Sequence, residues 1–412
     1  MNGNARPEKN NAGSAVLRIL TFSTLYPNSV RTRHGIFVEQ RLRHLIASGE
    51  VHSTVVAPVP LAPDWGWLGE AAGQRRAPEH ESRHGLEIWH PRYVVIPKVG
   101  MTAAPWLLTA AVSGVLRRLH ASAPFDLIDA HYLYPDGVAA VACGRRLGIP
   151  VVLTARGTDV NLIPNYYWAR HMILWAARRS AAVITVSQAL KDRLVEIGIE
   201  PNRITTLRNG VDLAYFRPLE RERERATLGI DGPTLLSVGH LIERKGHHVV
   251  ISALRELPGV TLVIAGDGPM ERELRDLARQ QGVARRVRFV GAKTHAELVS
   301  YYNAADALVL ASDREGMPNV VLECLACGTP VIATAVWGTP EIMHHSDAGR
   351  LVCEREPAAI AAACRDLFAG PPARAATRRH AEQFSWDQTT RGQLQIFRQA
   401  IGAAHALARE AI

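Results

Sequence analysis

The sequence lacks several features that mark specialised protein classes. Its first 15 residues are polar and have no apolar signal core, so we expect residues 1–15 to be a disordered leader. Five cysteines are scattered over 412 residues, which is too few for a disulfide scaffold and favours a reducing, cytoplasmic setting. The uncharged stretch 99–116 only reaches the lower limit of about 18 residues for a transmembrane helix and is interrupted by Gly100 and Pro105. We predict a buried or interfacial helix there.

Several ligand-binding motifs are also missing. No Walker A sequence occurs, and residues 266–271 depart from G-x-G-x-x-G because Glu271 stands in place of the third glycine. No D-x-D triplet exists, which argues against the fold type in which carboxylate-held Mn²⁺ or Mg²⁺ carries a sugar nucleotide. The net charge of +9 suits phosphate-bearing ligands or an anionic membrane. A nucleic-acid partner is not expected, because no recognised nucleic-acid motif accompanies that charge.

Short β-branched runs alternate with amphipathic helical stretches, a pattern typical of parallel sheets covered by helices. In the first half, strands are predicted at 16–23, 53–58, 125–131, 150–155, 181–187 and 203–210, and a helix at 35–45. In the second half, strands are predicted at 234–239, 260–266, 287–291, 307–312, 330–334 and 349–352, with helices at 245–257, 270–281, 294–303 and 319–327. The expected fold class is therefore α/β, with two open sheets facing each other across a ligand cleft at the carboxyl ends of their strands.

Residues 212–234 interrupt the alternation with a run of charges, Pro218 and a glycine-containing end. This composition predicts a linker or the start of a second unit. We therefore expect an N-terminal domain over 16–205 and a C-terminal domain over 206–385. The remaining residues, 386–412, are expected to form a helix that packs back on the N-terminal domain.

One stretch, SDREGMPNVVLECLACGTPVIAT (residues 312–334), predicts an anion site at the start of a helix. A strand ends at Ser312, and Pro318 suits the first helical position because the N–H that proline lacks has no partner there. The N–H groups of Met317, Asn319 and Val320, together with the helix dipole, are then available to a phosphate.

Two acids flank this helix start. Glu315 precedes the helix, and Glu323 lies about five residues inside it, roughly 7–8 Å along the axis. Each acid can accept hydrogen bonds from hydroxyls on one side of a bound diphosphate, the layout of a sugar nucleotide. A surface helix with an acid at its N-terminus explains the same residues equally well. Cys324 and Cys327 have no second Cys/His pair with zinc spacing, so we predict that they pack in the helix core and that no metal binds.

Other polar residues lie at predicted strand ends. Arg244 and Lys245 follow the strand 234–239 and are suited to a diphosphate, although an exposed basic turn is an equal alternative. His131, Arg156 and Asp159 are candidates for the cleft of the N-terminal domain. The alternative for each of these three is a hydrogen-bonded loop residue.

The spacing of Glu315 and Glu323 resembles the E-x7-E motif of the retaining glycosyltransferases of family 4, which have the GT-B fold. The resemblance extends through LRNGVDLAYF, LLSVGHLIERKG, VIAGDGP, VRFVG and WGTPEI, and covers nearly all of residues 16–390. It implies two Rossmann-like domains facing each other across a cleft. It also implies that a sugar moves from a nucleotide-diphosphate sugar to an acceptor hydroxyl with retention at the anomeric carbon. No metal or other cofactor is expected, and the nucleotide sugar is a co-substrate.

The resemblance also implies roles for individual residues. Arg244 and Lys245 would hold the donor diphosphate, Glu315 the sugar hydroxyls and Glu323 the ribose. Arg156 completes the set of four expected catalytic residues, with Glu315, Arg244 and Lys245. The other expected donor contacts come from Gly316, Met317, Pro318, Asn319, the loop that begins at Gly239, and the surroundings of Lys293 beside the nucleobase. The expected acceptor-side residues are Gly35, which would lie near the donor phosphates, and His131, Arg156 and Asp159.

The chain departs from the family pattern on the acceptor side. Arg156 begins R-G-T-D where many relatives have H-G-x-D, Arg208 replaces a usual proline, and Trp337 replaces a usual glycine. The sequence TARGTD resembles a bacterial subgroup, which implies surface-polysaccharide or lipopolysaccharide assembly with a glycan or lipid-linked acceptor. We therefore expect a cytoplasmic enzyme at the inner face of the membrane.

Two further questions stay open from the sequence. Trp106 and Leu107, beside Arg117 and Arg118, fit either a surface that rests on an anionic membrane or a plain core helix, and the core helix explains them at least as well. Two other functions share parts of the pattern. They are a sugar-nucleotide epimerase of the same fold, which needs no acceptor, and a non-catalytic module that binds nucleotide sugars.

Overall fold

The computed structural model describes residues 16–61, 74–96 and 100–410. They form two compact units, one extending to Leu207 and resuming at Asp387, the other comprising Arg208–Trp386. The sequence placed these two boundaries after residues 205 and 385. The expected leader, 1–15, and Val99 of the uncharged stretch lie outside the described residues.

The first unit contains a parallel sheet with one antiparallel edge strand. Its strand order is β10-β9-β8-β7-β1-β2-β5-β4, and β3 pairs with β6 separately. The strands of this unit are β1 (Leu17–Phe22), β2 (Val51–Val56), β3 (Val59–Leu61), β4 (His80–Arg83), β5 (Leu86–Trp89), β6 (Arg92–Val94), β7 (Leu127–His131), β8 (Val151–Ala155), β9 (Ala182–Thr185) and β10 (Ile204–Thr206).

Helices cover the sheet of the first unit. They are α1 (Ile36–Ala47), α2 (Ala104–Ser122), α3 (Val138–Leu147), α4 (Thr158–Asn161), α5 (Tyr167–Arg179) and α6 (Gln188–Glu196). The strands β7 and β8 are buried along their whole length, because helices and neighbouring strands leave them no face to solvent. These central strands are therefore mostly apolar along their whole length, in line with the apolar runs seen in the sequence.

The second unit is a six-stranded parallel sheet in the order β13-β12-β11-β14-β15-β16. Relative to the first strand of the unit this is the doubly wound order 3-2-1-4-5-6. Its strands are β11 (Thr234–Val238), β12 (Thr261–Ala265), β13 (Val287–Gly291), β14 (Ala307–Leu310), β15 (Val331–Thr334) and β16 (Gly349–Val352). The predicted class of two Rossmann-like α/β domains is confirmed.

Helices of the second unit alternate with its strands. They are α7 (Arg221–Leu228), α8 (His247–Ala253), α9 (Glu271–Gln280), α10 (His295–Ala304), α11 (Asn319–Ala326), α12 (Thr339–Ile342), α13 (Pro357–Ala369) and α14 (Arg374–Ala381). The last helix, α15 (Trp386–Glu410), carries the chain back to the first unit. Its Leu394, Phe397 and Ile401 join the core that contains Ile19 and Leu42.

The structure differs from the sequence prediction at several places. Of the two alternatives given for the charge run, the start of a second unit agrees with the structure, because that unit begins at Arg208 and α7 forms within the run. The Glu220 side chain accepts hydrogen bonds from the N–H groups of Glu222 and Arg223, and Gly229 ends the helix in a left-handed conformation. The strands β3 to β6 were not predicted. The strand expected at 203–210 stops at Thr206.

The uncharged stretch forms part of α2, which buries one face. Pro105, Leu108, Val112 and Leu116 point into the unit, whereas Trp106 is half exposed. In the part of the chain that the structure describes, no helix combines the length and apolarity needed to cross a membrane.

Candidate functional site

Most candidate donor residues of the second unit lie at the point where its strand order reverses. The strands β11 and β14 are neighbours and parallel, so their carboxyl ends meet at the same edge of the sheet. The basic turn follows β11, and the turn with Glu315 follows β14. In doubly wound sheets ligands bind at this edge, outside the carboxyl ends of the strands on either side of the reversal.

The basic turn and the acidic turn are in direct contact. Lys245 Nζ lies 2.6 Å from Glu315 Oε1, and Arg244 Nη1 lies 3.7 Å from Glu315 Oε2. Arg244 Nη1 also donates to the backbone oxygen of Arg314 at 2.9 Å. The fold thus brings together three residues that the sequence named separately as catalytic.

Glu315 is a buried, ionised carboxylate. Burial alone raises the pKa of its carboxyl group, but Lys245, Arg244 and the hydroxyl of Ser312 lower that pKa below its usual value. Ser312 Oγ donates to Glu315 Oε1 at 2.7 Å. The position of this carboxylate is therefore fixed by partners on both turns.

The helix start after Glu315 differs from the prediction by one residue. Pro318 is the residue before the first helical position, since its ψ of 104° is extended, and α11 begins at Asn319. Its carbonyl accepts from the N–H of Val321 at 3.1 Å. Among the described residues, the N–H groups of Asn319 and Val320 donate to no acceptor, as helix starts leave them. The expected anion-binding groups at this terminus are thus Asn319 and Val320.

A side-chain cluster braces this helix start. The N–H of Asn209 donates to Met317 Sδ at 3.2 Å, and Asn209 Nδ2 donates to Asn319 Oδ1 at 2.9 Å. Gly316, Met317 and Pro318 are buried. The backbone expected to contact the donor is therefore held in place by the N-G-V-D segment at the start of this unit.

Glu323 is the fifth residue of α11 and has a different environment from Glu315. Tyr302 donates its hydroxyl to Glu323 Oε2 at 2.8 Å, and His295 Nε2 lies 3.6 Å from Oε1. Burial raises the pKa of Glu323, and these two partners offset the rise only in part. The pKa values of the two acids are thus shifted in opposite directions, lowered for Glu315 and raised for Glu323.

The other two expected donor residues also follow strands. Gly239 follows β11 with φ of 152°, and a Cβ at this position would lie 3.5 Å from Lys245 Cδ, so the loop passes close to the lysine side chain. Lys293 follows β13 and lies 3.2 Å from Glu297 Oε1. Lys293 therefore belongs to the edge of the sheet, two strands away from β11.

In the first unit, the candidate residues also lie where the strand order reverses, between β1 and β7. Gly35 precedes α1 with φ of 67°, and a Cβ at this position would lie 2.1 Å from the carbonyl oxygen of Leu25. Only glycine allows this close approach without displacing the loop. The prediction that Gly35 opens a helix is correct, and its role toward a phosphate stays a prediction.

His131 and Arg156 are in contact at the ends of β7 and β8. Arg156 Nη2 lies 2.7 Å from His131 Nδ1, and His131 Nε2 lies 3.2 Å from Asp129 Oδ2. A guanidinium can only donate, so His131 Nδ1 accepts and its proton is on Nε2, facing Asp129. Burial lowers the pKa of His131 to about 4, which keeps the imidazole neutral.

This contact continues to the C-terminal helix. Gln393 of α15 donates from Nε2 to Asp129 Oδ2 at 2.9 Å, and Arg41 Nε donates to Gln393 Oε1 at 2.8 Å. We name Arg41, Gln393, Asp129, His131 and Arg156 the buried polar chain. Burial raises the pKa of Asp129, but the opposing effect of His131, Arg41 and Arg156 is larger. The pKa is therefore below its usual value, and the carboxylate stays ionised. Burial lowers the pKa of Arg156 to about 9.

Asp159 is a loop-organising residue in the structure. Its carboxylate accepts hydrogen bonds from the N–H groups of Leu133, Arg156 and Gly157 at 2.7–3.2 Å. It is fully buried, and burial raises its pKa. These contacts match the hydrogen-bonded loop residue that the sequence left open as an alternative, and they fix the backbone on which Arg156 stands.

The two cysteines of α11 pack in the core. Cys324 and Cys327 are fully buried, and Cys324 Sγ donates to the carbonyl oxygen of Thr329 at 3.5 Å. Within residues 16–61, 74–96 and 100–410, no group of three or more His, Cys, Asp or Glu residues is arranged to hold a metal ion. Whether the reaction needs a metal stays a prediction.

Sequence reasoning missed the residues that orient the site. Tyr302, Ser312 and Asn209 each hold a predicted site residue, and Asp129 and Gln393 hold His131. Ser312 and Asn209 lie in motifs that the sequence singled out, a strand end and the N-G-V-D segment, so both could have been predicted as site residues. Tyr302 and Gln393 lie inside ordinary helical stretches, and no motif there distinguishes them from their neighbours.

Comparisons with known proteins match both units. Residues 43–215 match the family model "Glycosyltransferase Family 4", and residues 220–384 match "Glycosyl transferases group 1". The chain is 32% identical over 329 residues to the D-inositol 3-phosphate glycosyltransferase of Mycobacterium tuberculosis, which covers 73% of this chain and 68% of that protein.

Solved structures share the fold over nearly the whole chain. Sucrose-phosphate synthase from Thermosynechococcus elongatus has a TM-score of 0.76 at 21% identity and covers 94% of this chain and 100% of its own. Anabaena HepE, solved in complex with UDP, has a TM-score of 0.69 at 19% identity and covers 92% of this chain and 99% of its own.

Proposed function

The chain belongs to the family 4 type of glycosyltransferases, and from this premise we propose that it transfers a sugar from a nucleotide-diphosphate sugar to an acceptor hydroxyl with retention at the anomeric carbon. The family and the GT-B fold class that the motifs predicted are confirmed. The donor class, the stereochemistry and the acceptor are proposals, and each rests on particular side chains.

The observation that carries the proposal is the contact of Glu315 with Lys245 and Arg244 beside the start of α11. A buried carboxylate under two cations is a strong hydrogen-bond acceptor for sugar hydroxyls. Lys245 has three N–H donors, so it can keep Glu315 and still contact a phosphate oxygen. The N–H groups of Asn319 and Val320 add the positive end of a helix dipole.

The proposed reaction separates charge, and these groups would stabilise the charge that develops. The bond between the anomeric carbon and the diphosphate oxygen breaks, and its electron pair stays on the leaving diphosphate. The acceptor oxygen attacks the same face of the oxocarbenium-like sugar, and its proton passes to the leaving phosphate oxygen. Lys245, Arg244 and the helix start stabilise the departing anion, while Glu315 orients the sugar. The proposed scheme has no step that calls for a metal ion.

Glu323 is proposed to bind the ribose. Tyr302 holds one of its oxygens, and the other faces His295 at a distance too long for a strong hydrogen bond. A carboxylate fixed in this way can accept from a ribose hydroxyl. Glu323 is the fifth residue of α11, so it lies about one turn from the N–H groups at the helix start. This separation matches a ligand with a diphosphate at one end and a nucleoside at the other.

In the first unit, Arg156 is proposed to add positive charge on the acceptor side, held by His131. Its R-G-T-D segment supports a glycan or lipid-linked acceptor in bacterial surface-glycan assembly, on the cytoplasmic side of the membrane. Arg156→Ala is expected to lower turnover at least tenfold while nucleotide affinity, measured by calorimetry, is retained, because one lost charge-assisted contact costs about 1.5–3 kcal/mol. Unchanged turnover would exclude this role.

A donor panel separates transfer from the two alternatives. The chain is incubated with UDP-, GDP-, ADP- and dTDP-sugars, with and without a bacterial glycolipid extract, and both the released nucleotide and the identity of the sugar in the remaining donor are measured. Transfer predicts release that depends on the extract, an epimerase converts donor without acceptor, and a binding module releases nothing. NMR of the product anomer then tests retention.

A further inference from the structure

The first unit presents a continuous outer surface made by α2, α3 and α5. The helix α2 packs against α3, and α3 packs against α5. The rings of Trp106 on α2 and Trp175 on α5 also meet edge to face, with centroids 6.4 Å apart. We name the exposed side of these three helices the aromatic–basic face.

This face carries charge of one sign. The segments 100–125, 138–158 and 160–191, which contain all three helices, have no Asp or Glu. Its exposed arginines come from each of the helices, mostly near their C-terminal ends: Arg117, Arg118, Arg145, Arg146, Arg170, Arg178 and Arg179. Seven exposed cations with no acid in the same helices create a positive potential that attracts anionic partners.

Large aromatic side chains are exposed on the same face. Tyr167 and Trp168 are 66% and 62% exposed, and Tyr166 and Trp106 are each 50% exposed. The rings of Tyr167 and Trp168 are nearly perpendicular, with an interplanar angle of 84°, so they are not parallel platforms for stacked bases. Tyr and Trp favour the boundary between water and hydrocarbon, because each ring is apolar and carries one polar group.

We propose that the aromatic–basic face binds the surface of an anionic lipid bilayer, with Tyr167 and Trp168 entering the headgroup region and the arginines contacting lipid phosphates. Interfacial helices use this combination of cations and bulky apolar groups. The inference extends the proposed function by naming the surface on which a lipid-linked acceptor would be met. It also differs from the sequence expectation, because the most exposed aromatic residues lie on α5 and not on α2.

Flotation with vesicles tests the face directly. The full chain is expected to float with vesicles of phosphatidylcholine and phosphatidylglycerol, not with phosphatidylcholine alone, and to be released by salt, since the attraction falls off within a Debye length. Equal binding to both vesicle types, or binding to neither, would overturn the proposal. Binding to a homopolymeric RNA instead of vesicles would do the same and would identify a nucleic-acid partner.

Matched charge reversals locate the contact. The variant Arg117→Glu/Arg145→Glu/Arg178→Glu changes one exposed arginine on each helix and is expected to lower vesicle partitioning by roughly tenfold or more. The control, Arg255→Glu/Arg272→Glu/Arg285→Glu, makes the same charge change at exposed arginines of the second unit. Similar losses in both variants would mean that net charge, and not this face, drives binding.

Fluorescence quenching tests the aromatic residues. Vesicles with brominated acyl chains are expected to quench the tryptophan emission of the full chain, and Trp168→Phe is expected to remove a large part of that quenching. Quenching that Trp168→Phe leaves unchanged would refute the placement of this ring. Neither vesicle experiment depends on sugar transfer, so both remain valid tests if the donor panel shows no transfer. If vesicle binding fails instead, an assay with a soluble acceptor still shows whether the chain transfers sugar.

Discussion

Gln393 on the C-terminal helix donates a hydrogen bond to Asp129 at the end of β7, across 264 positions of sequence, at 2.9 Å. Both side chains are about 1% exposed. Asp129 accepts in turn from His131, and His131 accepts from Arg156. The return of the last helix to the first unit therefore does more than fill the core, because it holds the carboxylate that accepts from His131, the partner of Arg156.

Replacing Gln393 by Met is expected to destabilise the chain by roughly 2–4 kcal/mol, because Arg41 Nε and Asp129 Oδ2 each lose a partner in a buried site. The loss is measured by chemical denaturation. Gln395→Met is the matched control, since Gln395 is exposed on the same helix. A similar loss in both variants would mean that the buried polar chain does not contribute as the geometry requires.

Stability is expected to fall as the pH is lowered from about 6.5 to about 4. The pKa of His131 is lowered to about 4 in the folded chain. Between these values the unfolded chain binds a proton that the folded chain does not, so folding is favoured above this window and weakened within it. The shift corresponds to about 3 kcal/mol. His131→Gln is expected to flatten this part of the stability profile, and an identical slope in the variant would contradict the assignment.

Much of the fold could be read from the sequence where a strand is a continuous apolar run. Most central strands were predicted within two residues, and two strands at the edges of the second sheet, Val287–Gly291 and Gly349–Val352, were predicted to the residue. The hairpin of β4 and β5 was missed because its strand HESR has no apolar alternation and lies at the sheet edge. A short strand without an apolar pattern is specified by pairing with a neighbour, which a single segment does not reveal.

The candidate site divides in the same way. The contact of Lys245 with Glu315 follows from topology, because both residues come after parallel strands that are neighbours in a doubly wound sheet. The contact of Tyr302 with Glu323 depends on how α10 packs against α11. Helix packing is set by side-chain fit over the whole interface, so no local motif announces it.

The double variant at Lys245 and Glu315 separates support of the fold from binding of the donor. Lys245→Met leaves the Glu315 carboxylate buried with less positive charge beside it, and is expected to cost about 2–3 kcal/mol in stability, because Arg244 and Ser312 still compensate. Adding Glu315→Gln is expected to restore most of that stability. Nucleoside-diphosphate affinity, measured by calorimetry, is expected to stay low in both. Recovered affinity in the double variant would argue against a phosphate contact by Lys245.

Tyr302→Phe tests the support of the proposed ribose site. Removing the hydroxyl leaves a buried oxygen of Glu323 without its donor, which is expected to cost about 1–3 kcal/mol and to weaken nucleoside-diphosphate binding severalfold. Tyr301→Phe, the neighbouring residue on the same helix, is the control. Glu323→Ala is expected to weaken binding further, and full affinity in that variant would refute the ribose role.

Two glycines with almost the same φ distinguish backbone strain from steric overlap. Gly35 has φ of 67° and Gly148 has φ of 71°, but only at Gly35 would a Cβ collide with a neighbour, the carbonyl oxygen of Leu25. Gly148→Ala is expected to cost about 1 kcal/mol from the left-handed conformation alone. Gly35→Ala must also displace the loop after β1, so its loss is expected to exceed that of Gly148→Ala by about 1–3 kcal/mol. Equal losses of stability in the two variants, measured by denaturation, would show that the loop after β1 moves aside at no cost. Close packing against the Leu25 carbonyl would then not explain why position 35 is glycine.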